Sequence, residues 1–190
     1  QAAINTVSLA GGGQARLLAG TYFPKNIIIP SGIALTGVGV GQTFLDFSNT
    51  SANISYSGTN VYTTGTITAI TSGVFVTGSG TLWLANVSAG QHLFLGTRWY
   101  LIAAVTSNTA LVLSEGYGDN VTLPSTYRIA NPVTDIVISG MTIKNSTGTG
   151  LAITDARRIT LSDLKLLDNN KGCVFTNCSE FSFEQGLPVS

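Results

Sequence analysis

Charge is what this sequence has least of. Nine lysines and arginines and nine acidic residues among 190 make only 9% charged side chains, against about a quarter in ordinary globular domains. The formal net charge is zero. No overall field steers a polyanion or an anionic membrane toward the chain, so nucleic acid is not an expected partner. There is one histidine, His92, and there are two cysteines, Cys173 and Cys178. No second cysteine pair completes a zinc site, and neither a metal nor a cofactor is expected. The cysteines read as small apolar residues, Cys173 inward and Cys178 at a corner, with nothing to support a disulfide. Long apolar runs are missing too. None approaches the ~20 residues of a membrane span, the isoleucines at 27–29 included, so no membrane insertion is expected. No basic start leading into an apolar stretch marks a signal peptide. The chain opens at Gln1, and a segment upstream of it is an expectation.

Helical periodicity is nearly absent as well. Residues 1–9, QAAINTVSL, offer the one short apolar face, Ala2, Ile4 and Leu9, before the glycines at 11–13. What remains is 44% hydrophobic residues with abundant Gly, Thr, Ser and Asn. That suffices for one substantial core, or for a core with a small inserted module. From Ala15 to Ser48 the chain reads as strands of four or five residues, punctuated by Gly20, Pro24, Pro30 and the glycines at 37–41.

From Val133 onward a period emerges. Ile136 and Ile138 align with Ile159 and Leu161, and these with Phe181 and Phe183, at offsets of 23 and 22 residues. Met141 and Ile143 map onto Leu164 and Leu166 at 23. Pattern persists while identity changes, as expected of a β-solenoid whose inward positions alone must stay apolar. The leucine-rich-repeat consensus, which shares this period, is missing. The region between, about 62–130, has no such period. It contains GVFVTGSGTLWL, GQHLFLGTRWYLIAAVTSNTALVLS and STYRIA, with a hairpin turn at Ser107-Asn108 or Asn108-Thr109. It reads as a small antiparallel barrel or sandwich inserted into the solenoid. The expected division is 1–61, an N-terminal cap and first coils; 62–130, the inserted module; and 131–190, further coils expected to continue past Ser190.

The first 48 residues resemble the opening of pectate-lyase-like right-handed parallel β-helix proteins. The carriers are the short helix, the glycine cluster, the strand ending at Gly20, Thr21 and Tyr22, the Pro30, Ser31, Gly32 turn, and the run LTGVGVGQT at 35–43. The middle segment resembles a small β-module of bacteriophage tail fibres and tailspikes, through GTLW at 80–83, Leu93 three residues after Gly90, SNT at 107–109 and LVL at 111–113. It departs from that pattern at His92, where an acid is frequent, and at Leu101-Ile102 after Tyr100. The resemblance implies an all-β fold, a right-handed parallel β-helix with a short N-terminal helix and an inserted antiparallel module. It also implies a virion or extracellular location, a homotrimer or other virion proteins as partners, and a surface polysaccharide as target.

Reaction chemistry is sparse. The carboxylates Asp155, Asp163, Asp168 and Glu184, with Arg157, Arg158 and Lys165 nearby, are the candidates for a polysaccharide lyase or glycoside hydrolase, which needs paired acids or a base with a cation. Asp155 and Asn177, 22 residues apart, read more simply as turn formers at stacked corners. No catalytic residue is assigned. For sugar binding the candidates are Trp99 and Tyr117, because rings stack on exposed aromatic faces. Alternation in TRWYLI sets Trp99 and Tyr100 on opposite faces; the resemblance to the tail-fibre module implies Tyr100 inward and Trp99 outward, and Trp83 reads as core. The leading expectation is a structural and host-recognition component, a rigid shaft presenting a carbohydrate-interacting region. A depolymerase is the alternative, and a free-standing carbohydrate-binding module the third.

Overall fold

A computed structural model describes residues 1–71, 73–118 and 123–184. It divides into two compact units: residues 1–57 with Val133–Thr176 and 180–184, and Gly58–Pro132 with Asn177–Ser179.

The first unit is a parallel β-solenoid. Strand Ile33–Thr36 pairs in parallel with Gly13–Arg16 on one side and with Val133–Ser146 on the other, which pairs in turn with Thr149–Leu167. The register places Ile136 beside Ile159, Ile138 beside Leu161, Met141 beside Leu164 and Ile143 beside Leu166. These are the pairs that the 23-residue offset implied. Inward positions alternate with outward ones along each strand, and Ile33, Leu35, Ile136, Ile138, Met141, Ile143, Leu151 and Ile153 lose essentially all solvent exposure. The chain turns many of its corners on a residue with positive φ, and these corners stack in columns. Gly32 (72°), Asp135 (58°) and Arg158 (53°) form one, with Glu180 (60°) 22 residues further on. Gly140 and Asp163 form a second, Asn145 and Asp168 a third, and Asp155 and Asn177 recur at the 22-residue period. Asp and Asn tolerate this left-handed conformation because their short side chains bond nearby backbone. Where two corners press together only glycine fits: a Cβ on Gly37 would lie 2.1 Å from the Gly140 carbonyl oxygen.

The helix Ala2–Leu9 closes the N-terminal end by burying Ile4. The Gln1 side chain acts as a strand surrogate there: its Nε2 donates to the Ile28 carbonyl at 2.8 Å and its Oε1 accepts from the Ile28 N–H at 3.0 Å. The edge strand Ile27–Ile28 is thereby covered at that point. At the other end, strand Lys171–Glu184 exposes Phe181 (40%) and Phe183 (65%), with Phe175 packed edge-on against Phe181 at 4.8 Å. No helix of the described residues is long and apolar enough to cross a membrane.

The second unit is an antiparallel sheet in the order Thr59–Tyr62, Arg128–Asn131, His92–Leu95, Arg98–Ser107, Ala110–Leu113, Phe75–Ser79, Thr66–Thr71. Ser107 pairs with Ala110, which sets the hairpin turn at Asn108-Thr109. Ile67 and Ser125 exchange both backbone hydrogen bonds at 2.9 Å, curling the sheet back toward its opposite edge. Trp83, Leu93, Tyr100, Ile102, Leu111 and Ile129 fill the space enclosed. The Trp83 indole N–H donates to the Tyr127 hydroxyl at 2.9 Å, which donates on to the Thr64 carbonyl. Strand Thr59–Tyr62 belongs to this unit through its pairing with Arg128–Asn131.

The point of insertion is defined by register. Thr154 stands beside Ser57 and Ala156 beside Val133. The whole stretch Gly58–Pro132 therefore occupies the place that a single residue, Asp155, fills one coil later. Because Asp155 already turns that corner unaided, replacing Gly58–Pro132 by one aspartate should leave a solenoid that folds. Circular dichroism and a thermal melt check it: a β spectrum with a cooperative transition is expected, and a chain without one contradicts the assignment.

Candidate functional site

The carboxylates chosen from the sequence are distributed around the coil. Asp155 is fully buried at its corner, while Asp163 and Asp168 are exposed at two further corners, each with positive φ. Asp163 and Glu184 line one depression of about 480 Å³ beside strand Lys171–Glu184. Its other lining is core-like, with Leu151, Leu161, Leu164, Leu166 and Phe175.

The arginines are already engaged. Arg158 grips Asp135 through two hydrogen bonds, Nε to Oδ1 at 2.7 Å and Nη2 to Oδ2 at 2.8 Å, and Arg157 Nη2 meets Glu180 Oε1 at 3.0 Å. Arg158 and Glu180 sit in the left-handed region without the short side chain that suits it, and these ion pairs tie their side chains to neighbouring coils. The hydrogen bond from Arg158 holds the Asp135 carboxyl at about 2, below its ordinary 3.8, against a smaller upward push from burial. A second cluster lies at Asp46. Burial raises this carboxyl, but Asn145 Nδ2 at 2.9 Å, the Ser48 N–H at 2.9 Å and Lys144 Nζ at 3.3 Å outweigh it and hold it below the usual range. Neither cluster was named from the sequence, although the 23-residue offset already sets Asp135 beside Arg158. Asp46 and Asn145 are 99 residues apart.

Of the two aromatics, Trp99 requires a correction. Alternation does set Tyr100 in the sheet core and Trp99 on the opposite face, yet Trp99 is fully buried. Phe94 packs on it at 5.0 Å, and its indole N–H donates to the Asn177 carbonyl at 2.8 Å. The expectation of an exposed ring failed because strand alternation identifies two faces without saying that either meets water. Tyr117 is half-buried, with its ring tilted on Tyr100 at 5.2 Å and its N–H donating to the Gly73 carbonyl. His92 stands between Leu101 and Ala130 across the sheet. Among the described residues no three potential metal ligands cluster.

No protein-family model matches the sequence, and no curated protein does. Solved structures do match. The tailspike Gp54 of Acinetobacter baumannii bacteriophage AP22, solved with an A. baumannii capsular saccharide, superposes with a TM-score of 0.59 at 14% identity over 94% of this chain and 32% of its own. The tailspike gp61 of Pseudomonas phage phi297 gives 0.57 at 12% identity over 98% and 41%. The tailspike gp49 of Pseudomonas phage LKA1 gives 0.50 at 11% over 96% and 38%. At these identities the similarity establishes the fold, a parallel β-helix of the kind found in phage tailspikes. The chain spans between a third and two fifths of the length of those proteins.

The Asp135 ion pair has a pH signature. A carboxyl whose folded value lies below its unfolded value stabilises the fold above about pH 4 and loses that contribution as pH falls through about 2. Both side chains are about half exposed, so screening limits the contribution to about 0.5–1 kcal/mol. Asp135→Asn, which keeps a residue suited to positive φ, should be less stable than the parent by that amount near neutral pH in urea titrations. The difference should vanish toward pH 2, and a difference constant across that range would contradict it.

Proposed function

We propose that this chain is part of a phage tailspike or tail fibre, in which the β-helix serves as a rigid shaft and the antiparallel unit contributes a carbohydrate-interacting region for host recognition. The observation that carries this reading is the extent of the superposition. Three tailspikes match 94–98% of the chain, a span that includes the antiparallel insertion as well as the coils. A low-charge surface rich in hydroxyl and amide groups is consistent with it, because such groups exchange hydrogen bonds with sugar hydroxyls without the desolvation cost of bare ions. The proposed setting is a virion, with a homotrimer or other virion proteins as partners and a bacterial surface polysaccharide as target.

Asp155 turns a corner, and Arg157 and Arg158 are held in ion pairs with Glu180 and Asp135, which favours recognition over cleavage. Of the aromatic pair, Tyr117 retains surface for a sugar ring, whereas Trp99 contributes through packing.

Binding of the purified protein to a panel of bacterial capsular polysaccharides tests this reading, with release of reducing ends followed in parallel. Binding without cleavage is expected. Tyr117→Ala should weaken binding by about 5- to 10-fold through the lost stacking surface. Trp99→Ala should lower stability by about 3–5 kcal/mol, as for other buried aromatics. Cleavage of any panel member, or equal binding by the Tyr117 variant, would contradict the respective assignment.

A further inference from the structure

Between strand Thr59–Tyr62 and the loop after the short helix Trp83–Asn86 lies a surface depression of about 500 Å³. Its polar lining is amide and hydroxyl, from Asn60, Tyr62, Asn86, Ser88, Gln91 and Asn131, with Val61 as the exposed apolar neighbour. Among the described residues no acid, lysine, arginine or histidine borders it.

The floor is fixed. Gln91 is 8% exposed, and its side chain accepts from the Ser88 N–H at 2.8 Å and donates to the Asn60 carbonyl at 3.3 Å. Asn60 itself has φ 53°, at a register shift where Asn131 pairs with Thr59 and Ile129 with Tyr62. A bulge of this sort re-aims a side chain out of the ladder. Among the described residues the side-chain amides of Asn60 and Asn131 make no hydrogen bond, and that of Asn86 uses only one N–H, to the Leu82 carbonyl at 2.8 Å. Each amide offers donors and an acceptor on one small group. Vicinal hydroxyls, which also donate and accept, complement that arrangement. A carboxylate or sulfate would leave the amide oxygens facing negative charge and would find no cation.

We infer that this depression binds a neutral, hydroxyl-rich glycan segment, with Asn60 and Asn131 reading its hydroxyls and Gln91 holding the floor. The volume falls within the ~300–1,000 Å³ of small-molecule sites, enough for a short stretch of chain passing over the surface. The inference rests on the glycan-recognition reading and adds to it a place and a sugar class.

The test uses the full chain and saturation-transfer NMR with maltotetraose, chitotetraose and a rhamnose-containing tetrasaccharide as neutral probes and tetragalacturonate as the anionic one. The variant is Asn60→Gly with Asn131→Ala; glycine retains the positive φ while both amides are removed. At least one neutral probe should bind, and the variant should lose about 10-fold or more in affinity with an unchanged melting temperature. Neutral-probe binding that survives the double substitution overturns this site and leaves glycan recognition standing. Binding of tetragalacturonate alone, abolished by the variant, overturns the sugar class. Failure of all four probes overturns the site, whereas the glycan-recognition reading falls only if the wider capsular panel is also silent.

Discussion

Every coil of the solenoid must set its apolar side chains directly over those of the coil beneath. Parallel pairing in register does this: Leu35, Ile138 and Leu161 lie in one row, and a slip of one residue would turn the whole row outward. The corners serve that constraint. A positive φ at the same place in successive coils lets the chain change direction without losing register, and it explains why Asp, Asn and Gly gather there. Two larger residues found there, Arg158 and Glu180, belong to ion pairs that link one coil to another.

That arrangement separates two kinds of surface. The coil corners use their charges on one another, as Asp135 does with Arg158 and Asp46 with Lys144. Groups spent in this way hold register and are poorly placed to bind a ligand. The antiparallel unit is under no such demand, since it occupies what is elsewhere a one-residue corner. Its core is built on Trp83, Tyr100 and Tyr127, and its loops carry uncharged polar groups with bonding capacity to spare. Burial raises the Tyr127 hydroxyl to about 12, offset in part by its hydrogen bond with Trp83 and reinforced by Tyr62, so it stays protonated and can donate to Thr64.

The solenoid was legible in the sequence because its periodicity is enforced by burial. Ile136, Ile138, Ile159 and Leu161 had to remain apolar, and their spacing gave the register directly. The corner role of Asp155 followed from the same periodicity; Trp83 read as core, and the resemblance to the tail-fibre module set Tyr100 inward. Solvent exposure was not legible. Trp99 faces away from the sheet core, yet it is covered by Phe94 and bonded to Asn177, 78 residues away in the chain. The amide depression was equally hidden, because Asn60, Ser88 and Asn131 form no motif in a chain so rich in such residues. Only the bulge and the buried Gln91 bring them together.

The stacking of coils can be observed through methyl–methyl nuclear Overhauser effects in a sample with labelled isoleucine, leucine and valine methyls. The account predicts strong cross-peaks from Ile138 to both Leu35 and Leu161, residues 103 and 23 positions away in sequence. If Ile138 showed cross-peaks to neither, and only to residues near it in the chain, the parallel register and the solenoid built on it would be contradicted.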